Sequence, residues 1–296
     1  MAVPDPVSEF DLVDDDAAEF GVTLARPPVV ERRTVAGGLS ALVWGTETPK
    51  YAFLHGGGLN AHTWDTVALA LDAPLVAIDL PGHGQSPWRE DARYDPTTIA
   101  PAVIAALEDA ASRTDALVGQ SLGGLTAVVV AAERPDLVRR LVIVDVSPGF
   151  VVKQDSQVRS FLAGPDSFAT REEIVERARA FGIGVSTTSV ERGVYHNTVR
   201  RDDGRWIFRH HLANLPEGAT PLAVDFSTLW PAFDALSLPI MVVRGSRGFL
   251  TDDYIAELKS HQPKLIVSVI ESGHNVQEDD PVALARVLAD FVATTP

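Results

Sequence analysis

Ser121 is the side chain best placed to do chemistry in this sequence. It lies in Gly119-Gln120-Ser121-Leu122-Gly123, a Gly-x-Ser-x-Gly pattern. Glycines two residues either side of a serine let backbones pack closely around a sharp strand-to-helix turn. The hydroxyl then projects from the top of a sheet as a nucleophile. The bare pattern is common, and its setting is what gives it weight. An apolar run at 116–118 leads straight in, and a helix-spaced run at 122–132 leads straight out. Such a serine needs a base, an acid to orient the base, and N–H donors for a developing oxyanion.

His55-Gly56-Gly57-Gly58 ends another apolar run, 51–54, and glycines there would let a backbone approach a substrate carbonyl. The expected oxyanion donors are the amides of Gly57 and of Leu122, with Gly58 beside them at the substrate. No Gly-x-x-x-x-Gly-Lys-Ser/Thr and no Gly-x-Gly-x-x-Gly follows a strand, which disfavours nucleotide binding. Of the eight histidines, His274 has the setting of a base: it follows the apolar run 265–270 in Glu271-Ser-Gly-His-Asn275, just before the last helix-spaced segment. His55 is expected to brace the glycine turn, and His83 lies in the structural loop Asp79-Leu-Pro-Gly-His-Gly-Gln-Ser86. His62, His196, His210, His211 and His261 lack a strand-end setting.

The elements that must position these residues read as an α/β fold. Strands are predicted at 30–35, 39–44, 51–55, 75–79, 116–120, 141–145, 240–244 and 265–270, eight in all. Helices are predicted at 63–71, 97–111, 122–132, 251–260 and 281–292. The later strands are continuous apolar runs, as expected of parallel strands buried on both faces. Ligands of such sheets bind at the C-terminal edge of the strands, where Ser121, the glycine loop and His274 all fall. Between about 148 and 229 the strand rhythm stops. Two helical patterns replace it, 169–181 and 188–199, followed by the polar turn Asp202-Asp203-Gly204.

The 296 residues carry a net charge of −15 and no cysteine. Disulfides, thiolate metal sites and cysteine nucleophiles are thereby excluded. Seven acids and no base fall within residues 1–20, the reverse of a signal peptide. The acidic balance argues against nucleic acid, and no apolar run approaches a membrane span. A soluble cytoplasmic protein without metal or organic cofactor is the expectation.

From about Arg32 onward the chain resembles the α/β-hydrolase fold superfamily. The resemblance rests on His55–Gly58, Asp79–Ser86, Gly119–Gly124 and Gly273–His274. It implies a mainly parallel eight-stranded core at 30–147 and 230–296, a helical lid at 148–229, and an acidic N-terminal arm at 1–29. Phe168, Glu172, Ala178, Tyr195-His-Asn197 and Asp203-Gly-Arg-Trp206 resemble lid segments of bacterial esterase-like members. In most of that family the acid follows the strand after the lid, but Gly248 stands at that position here. The nearest carboxylates, Asp252 and Asp253, open the next helix, where capping and the helix dipole explain them. A subset of the family places the acid after the strand that follows the nucleophile helix. Asp145 ends that strand, and a carboxylate closing an apolar strand wants a charged or hydrogen-bonded partner. Asp145 is therefore favoured over Asp252.

The resemblance implies a serine hydrolase acting on a small ester or lactone through Ser121, His274 and Asp145. Hydrolytic C–C cleavage of a diketone-like substrate, or a non-hydrolytic ligand-binding or biosynthetic role, are the alternatives. A serine at the elbow argues against epoxide hydrolase and haloalkane dehalogenase chemistry, where related folds carry aspartate. Trp64, Tyr195 and Trp206 are candidate substrate contacts, with Phe161, Phe168 and Phe181 as further lid aromatics.

Overall fold

In the computed structural model, which describes residues 8–111, 113–151, 164–181, 184, 186–215, 222 and 225–295, eight strands form one sheet. They are β1 (Val30–Thr34), β2 (Ser40–Trp44), β3 (Tyr51–Leu54), β4 (Leu75–Ile78), β5 (Ala116–Gln120), β6 (Leu141–Val144), β9 (Ile240–Gly245) and β10 (Ile266–Ile270), with β7 (Thr198–Arg200) and β8 (Trp206–Phe208) standing apart. Their spatial order is β1-β2-β4-β3-β5-β6-β9-β10. The pairs from β4 through β10 are parallel, and only β1 and β2 run antiparallel to their neighbours. The expected α/β architecture and its eight strands are thus present.

The continuous apolar runs have a direct explanation. Successive residues of one strand point to opposite faces, and here both faces are covered. Leu54, Leu117, Ile143 and Val242 pack with α3 (Pro96–Ala110) and α4 (Leu122–Glu133). Phe53, Val118, Val144 and Val243 pack on the other side with α2 (Asp65–Leu71) and α10 (Pro281–Thr294). Each such buried aliphatic side chain contributes roughly 1.5–3 kcal/mol.

Between β6 and β9 the described chain forms α5 (Arg171–Ala180), α6 (Thr187–Asn197), the antiparallel pair β7 (Thr198–Arg200) and β8 (Trp206–Phe208), and α7 (Trp230–Asp234). The hairpin departs from the expectation of helices alone. The predicted helix 188–199 stops at Asn197, and Thr198-Val199-Arg200 pairs with Trp206-Ile207-Phe208. β-branched and aromatic residues favour a strand pair, and the turn between them uses Gly204 at φ 83°. Phe168, Ile174, Ala178, Val190, Val194 and Phe208 give this segment a small core of its own. Ser186 caps α6 reciprocally with Ser189.

The acidic segment expected as a separate arm is a docked element from residue 8 onward. Its helix α1 (Val13–Glu19) buries Val13 and Ala17 in the core around α2. The acids face arginines. Asp16 lies 2.7 Å from Arg192 Nε on α6, and Glu19 pairs with both Arg192 and Ser186. Glu9 accepts from Arg32 on β1 and lies 3.1 Å from His62 Nε2, whose Nδ1 donates to Asp65 at 2.7 Å.

This last cluster predicts a pH-dependent stability. Burial opposes charge on Glu9, but hydrogen bonds from His62 and Arg32 outweigh it and hold the carboxyl down at about 2. Burial also opposes charge on His62, yet Asp65 and Glu9 push it up to about 9. Glu9 stabilises fully above its ordinary 4.5 and loses that contribution as pH falls toward 2. His62 stabilises fully below its ordinary 6.5 and loses that contribution as pH rises through about 9. Glu9→Gln should therefore lower Tm most between these two ordinary values, with the difference from wild type shrinking on both flanks. A Tm difference constant from strong acid to alkali would contradict the linkage.

Candidate active site

β3, β5, β6, β9 and β10 are parallel and end on one edge of the sheet, so the residues that follow them converge. After β5, Ser121 holds φ 51° and ψ −118°, a region that costs a non-glycine residue about 1–3 kcal/mol. Its own N–H donates to Val144 O at 3.1 Å. A Cβ on Gly119 would lie 2.3 Å from Gly123 O, and one on Gly123 would lie 2.3 Å from Leu54 O. The two glycines of the pattern are thus required by backbone contact.

After β6, Asp145 also takes a positive φ, 51°, and its carboxylate is completely buried. Oδ2 accepts from His274 Nδ1 at 2.8 Å and from the Phe249 N–H at 2.6 Å, while Oδ1 accepts from the Gly245 N–H at 3.2 Å. A Cβ on Gly248 would lie 2.3 Å from Asp145 Oδ2. The carboxylate from β6 therefore fills the space that a side chain at 248 would occupy. Asp252 begins α8 (Asp252–His261), where its side chain is 95% exposed and pairs with Arg244. The structure brings Asp145 to His274 and leaves Asp252 outside.

The His274 ring is held on three sides. Asp145 takes Nδ1, Phe249 stacks on the ring face at 3.6 Å and 15°, and Gln120 Nε2 lies 3.0 Å from Nε2. Phe249 stacks in turn on Phe150. Sequence reading missed Gln120, Phe249 and Phe150. The only available signal was that Gln120 sits inside the nucleophile pattern and Phe249 directly follows the acid's expected position.

The glycine loop lies beside the elbow. A Cβ on Gly57 would stand 3.9 Å from Leu122 Cδ2 and 3.5 Å from Leu212 Cδ1, so the segment between β6 and β9 reaches over the loop through Leu212. Leu122 opens α4, where the first amides have no intrahelical acceptor. Gly58 sits at φ 82°. His55 braces the turn as expected: its Nε2 accepts the Leu80 N–H at 2.9 Å, and its Nδ1 donates to Gly56 O at 2.8 Å. The Asp79 carboxylate organises the adjoining loops through Ala61 N–H, Gln85 N–H and Arg32.

The three aromatic candidates each have a packing partner of their own. Trp64 is wholly buried with its ring 4.8 Å from Phe53, so it packs the core. Tyr195 and Trp206 are half-buried and both face the Arg171 guanidinium, at 4.7 and 3.9 Å. Phe168 packs edge-on against Phe208, and Phe181 lies under Arg177. Phe161 lies outside the described residues.

Among the described residues, His62, Asp65 and His196 have donor atoms within 4.8 Å of one another, a set with metal-ligand chemistry. Both nitrogens of His62 are engaged, Nδ1 by Asp65 and Nε2 by Glu9, and Arg32 Nη2 lies 3.1 Å from Nε2. A guanidinium in that position repels a cation. The cluster fits an ionic network better than a metal centre.

A family model described as alpha/beta hydrolase family matches residues 52–287. The chain belongs to this family. The esterase Rv0045c of Mycobacterium tuberculosis (strain ATCC 25618 / H37Rv) is 40% identical over 297 residues, covering 97% of this chain and 97% of the relative. A crystal structure of that esterase superposes with a TM-score of 0.85 at 39% identity, covering 99% of this chain and 100% of the other. Lipase LipV of the same organism is 30% identical over 241 residues, covering 79% of this chain and 90% of its own. In this chain the carboxylate paired with His274 is the one that follows β6. Among the described residues no helix is long and apolar enough to cross a membrane.

Proposed function

We propose that this protein is a carboxylic ester hydrolase that works through a serine acyl-enzyme. The observation that carries the reading is the buried Asp145 carboxylate 2.8 Å from His274 Nδ1, on the same sheet edge as the strained Ser121. Relatives named as an esterase and a lipase support the reaction class.

Asp145 holds the Nδ1–H tautomer, so Nε2 carries the lone pair that takes the proton of Ser121. Ser121 attacks the ester carbonyl, and the amides of Gly57 and Leu122 stabilise the oxyanion. Each such donor is worth about 2.7–4 kcal/mol in comparable sites. His274 then protonates the leaving alcohol and activates water to release the acid. Residues 148–229 act as a lid, and Leu212 over Gly57 gives the acyl side an apolar wall. A small apolar ester or lactone is the substrate class, with Gly58 at the carbonyl.

A panel of p-nitrophenyl esters from acetate to decanoate tests this. Turnover is expected for the shorter chains and should decline toward decanoate as the acyl group outgrows the space beneath Leu212. Absence of turnover across the whole panel would overturn the ester reading.

A further inference from the structure

The residue before the nucleophile has contacts that the proposed reaction does not use. Gln120 is buried, with 1% exposure, and its side chain lies between the glycine loop and the histidine loop. Its Nε2 is 3.0 Å from His274 Nε2, 3.3 Å from His274 O and 3.4 Å from Asn275 Oδ1. Its Oε1 is buried without a hydrogen-bond partner among the described residues. A Cβ on Gly56 would fall 2.1 Å from that Oε1 and 3.3 Å from Ser121 Cβ. Glycine at 56 therefore leaves room for this amide as well as for the loop's backbone.

The protonation pattern fixes what the amide does. Nδ1–H of His274 donates to Asp145, so a neutral ring offers Nε2 as an acceptor only. His274 O is likewise an acceptor, and Asn275 Oδ1 is another. All three neighbours are acceptors, so the amide turns its NH2 toward them; its two N–H protons serve His274 Nε2, the nearest at 3.0 Å, and the loop oxygens, which accounts for the orientation that leaves Oε1 alone. A neutral imidazole nitrogen has one lone pair, and it cannot accept from Gln120 and from Ser121 at once.

We propose that Gln120 is a positioning residue that holds His274 Nε2 as the neutral acceptor and exchanges with Ser121 for it in each turnover. The inference rests on the proposed role of His274 as base. A donor at Nε2 can bond only to a ring whose Nε2 carries a lone pair, the form the proposed base must have. A carboxylate at position 120 would do the opposite, by accepting from the imidazolium N–H. The other charged groups about this loop are Asp145 after β6, Glu278 and Asp279 on α9 (Val276–Asp279), and the Arg247–Glu271 pair at its rim. None of them changes in the variants below.

Gln120→Glu is expected to move the acidic limb of kcat/KM upward by about one pH unit or more, as an opposite charge in contact does. Gln120→Met, similar in length but without a donor, should lower kcat and leave KM little changed, because the ring loses its hold while the substrate surface is kept. A purely structural role would lower activity equally at every pH and leave the limb in place.

The independent readout is an NMR titration of the His274 ring nitrogens in Ser121→Ala protein, with and without Gln120→Glu. A raised His274 midpoint in the Gln120→Glu protein supports the contact, even if Ser121→Ala were to retain turnover and so overturn the proposed function. An unmoved midpoint overturns the contact, even if Ser121→Ala abolishes turnover and the proposed function stands.

Discussion

Asp145→Asn is expected to lower p-nitrophenyl ester turnover by about 10⁴-fold, the loss seen when a triad carboxylate becomes an amide and the histidine adopts the wrong tautomer. The physical reason lies in three contacts. The carboxylate accepts from His274 Nδ1, Phe249 N–H and Gly245 N–H. An amide at 145 must turn its NH2 toward at least one of these donors. His274 then has to present Nδ1 as the acceptor, which moves its proton to Nε2, where the nucleophile needs a lone pair. Asp252→Asn alters an exposed side chain paired with Arg244 and should change turnover by no more than about twofold. The opposite ranking of the two variants would return the acid to the family's more common position.

The same geometry predicts a partial rescue. A side chain at 248 points into the space that the Asp145 carboxylate fills. Asp145→Gly combined with Gly248→Asp should therefore exceed Asp145→Gly alone in kcat, since the new carboxylate enters the vacated volume beside His274. Gly248→Asp alone should be inactive or poorly folded, because two carboxylates cannot share that site.

Ser121→Ala is the second large effect, a fall in kcat of about 10⁶-fold with binding retained, by analogy with the removal of other serine nucleophiles. Alanine at 121 keeps the same strained backbone, so the variant should melt near the wild-type temperature and isolate the loss of the hydroxyl. A fluorophosphonate ester should label the wild type once, at Ser121, and leave the variant unlabelled. Retained turnover or labelling in Ser121→Ala would move the nucleophile elsewhere.

Much of the fold could be read because its signals are local. A strand buried on both faces must be apolar throughout, and a run such as Leu141–Val144 says so within four residues. The hairpin at Thr198–Phe208 was harder to read. Its strands are three residues each, too short to show a period, and they follow directly on a helical pattern. The roles of the aromatic candidates are hard to read for a related reason. Trp64, Tyr195 and Trp206 have the composition of a substrate wall, but a large ring is equally useful as packing, and only burial and ring contacts separate the two.

The sequence by itself determined the strand-to-helix setting of Ser121 and the converging strand ends. The glycines of the elbow meet backbone within four residues or on the neighbouring strand, so their spacing already contains the reason for them. It also carried the departure at Gly248, which pointed to Asp145. Only the tertiary structure decided what lies against His274. Asp145 reaches it across 129 residues of sequence and Gln120 across 154, while Phe249 stacks on its face. Likewise the sequence shows an acidic arm at the start of the chain, but not that its carboxylates meet Arg32 and Arg192. Charge and chemical type are written in the sequence, but which charge neutralises which depends on distances that folding alone sets.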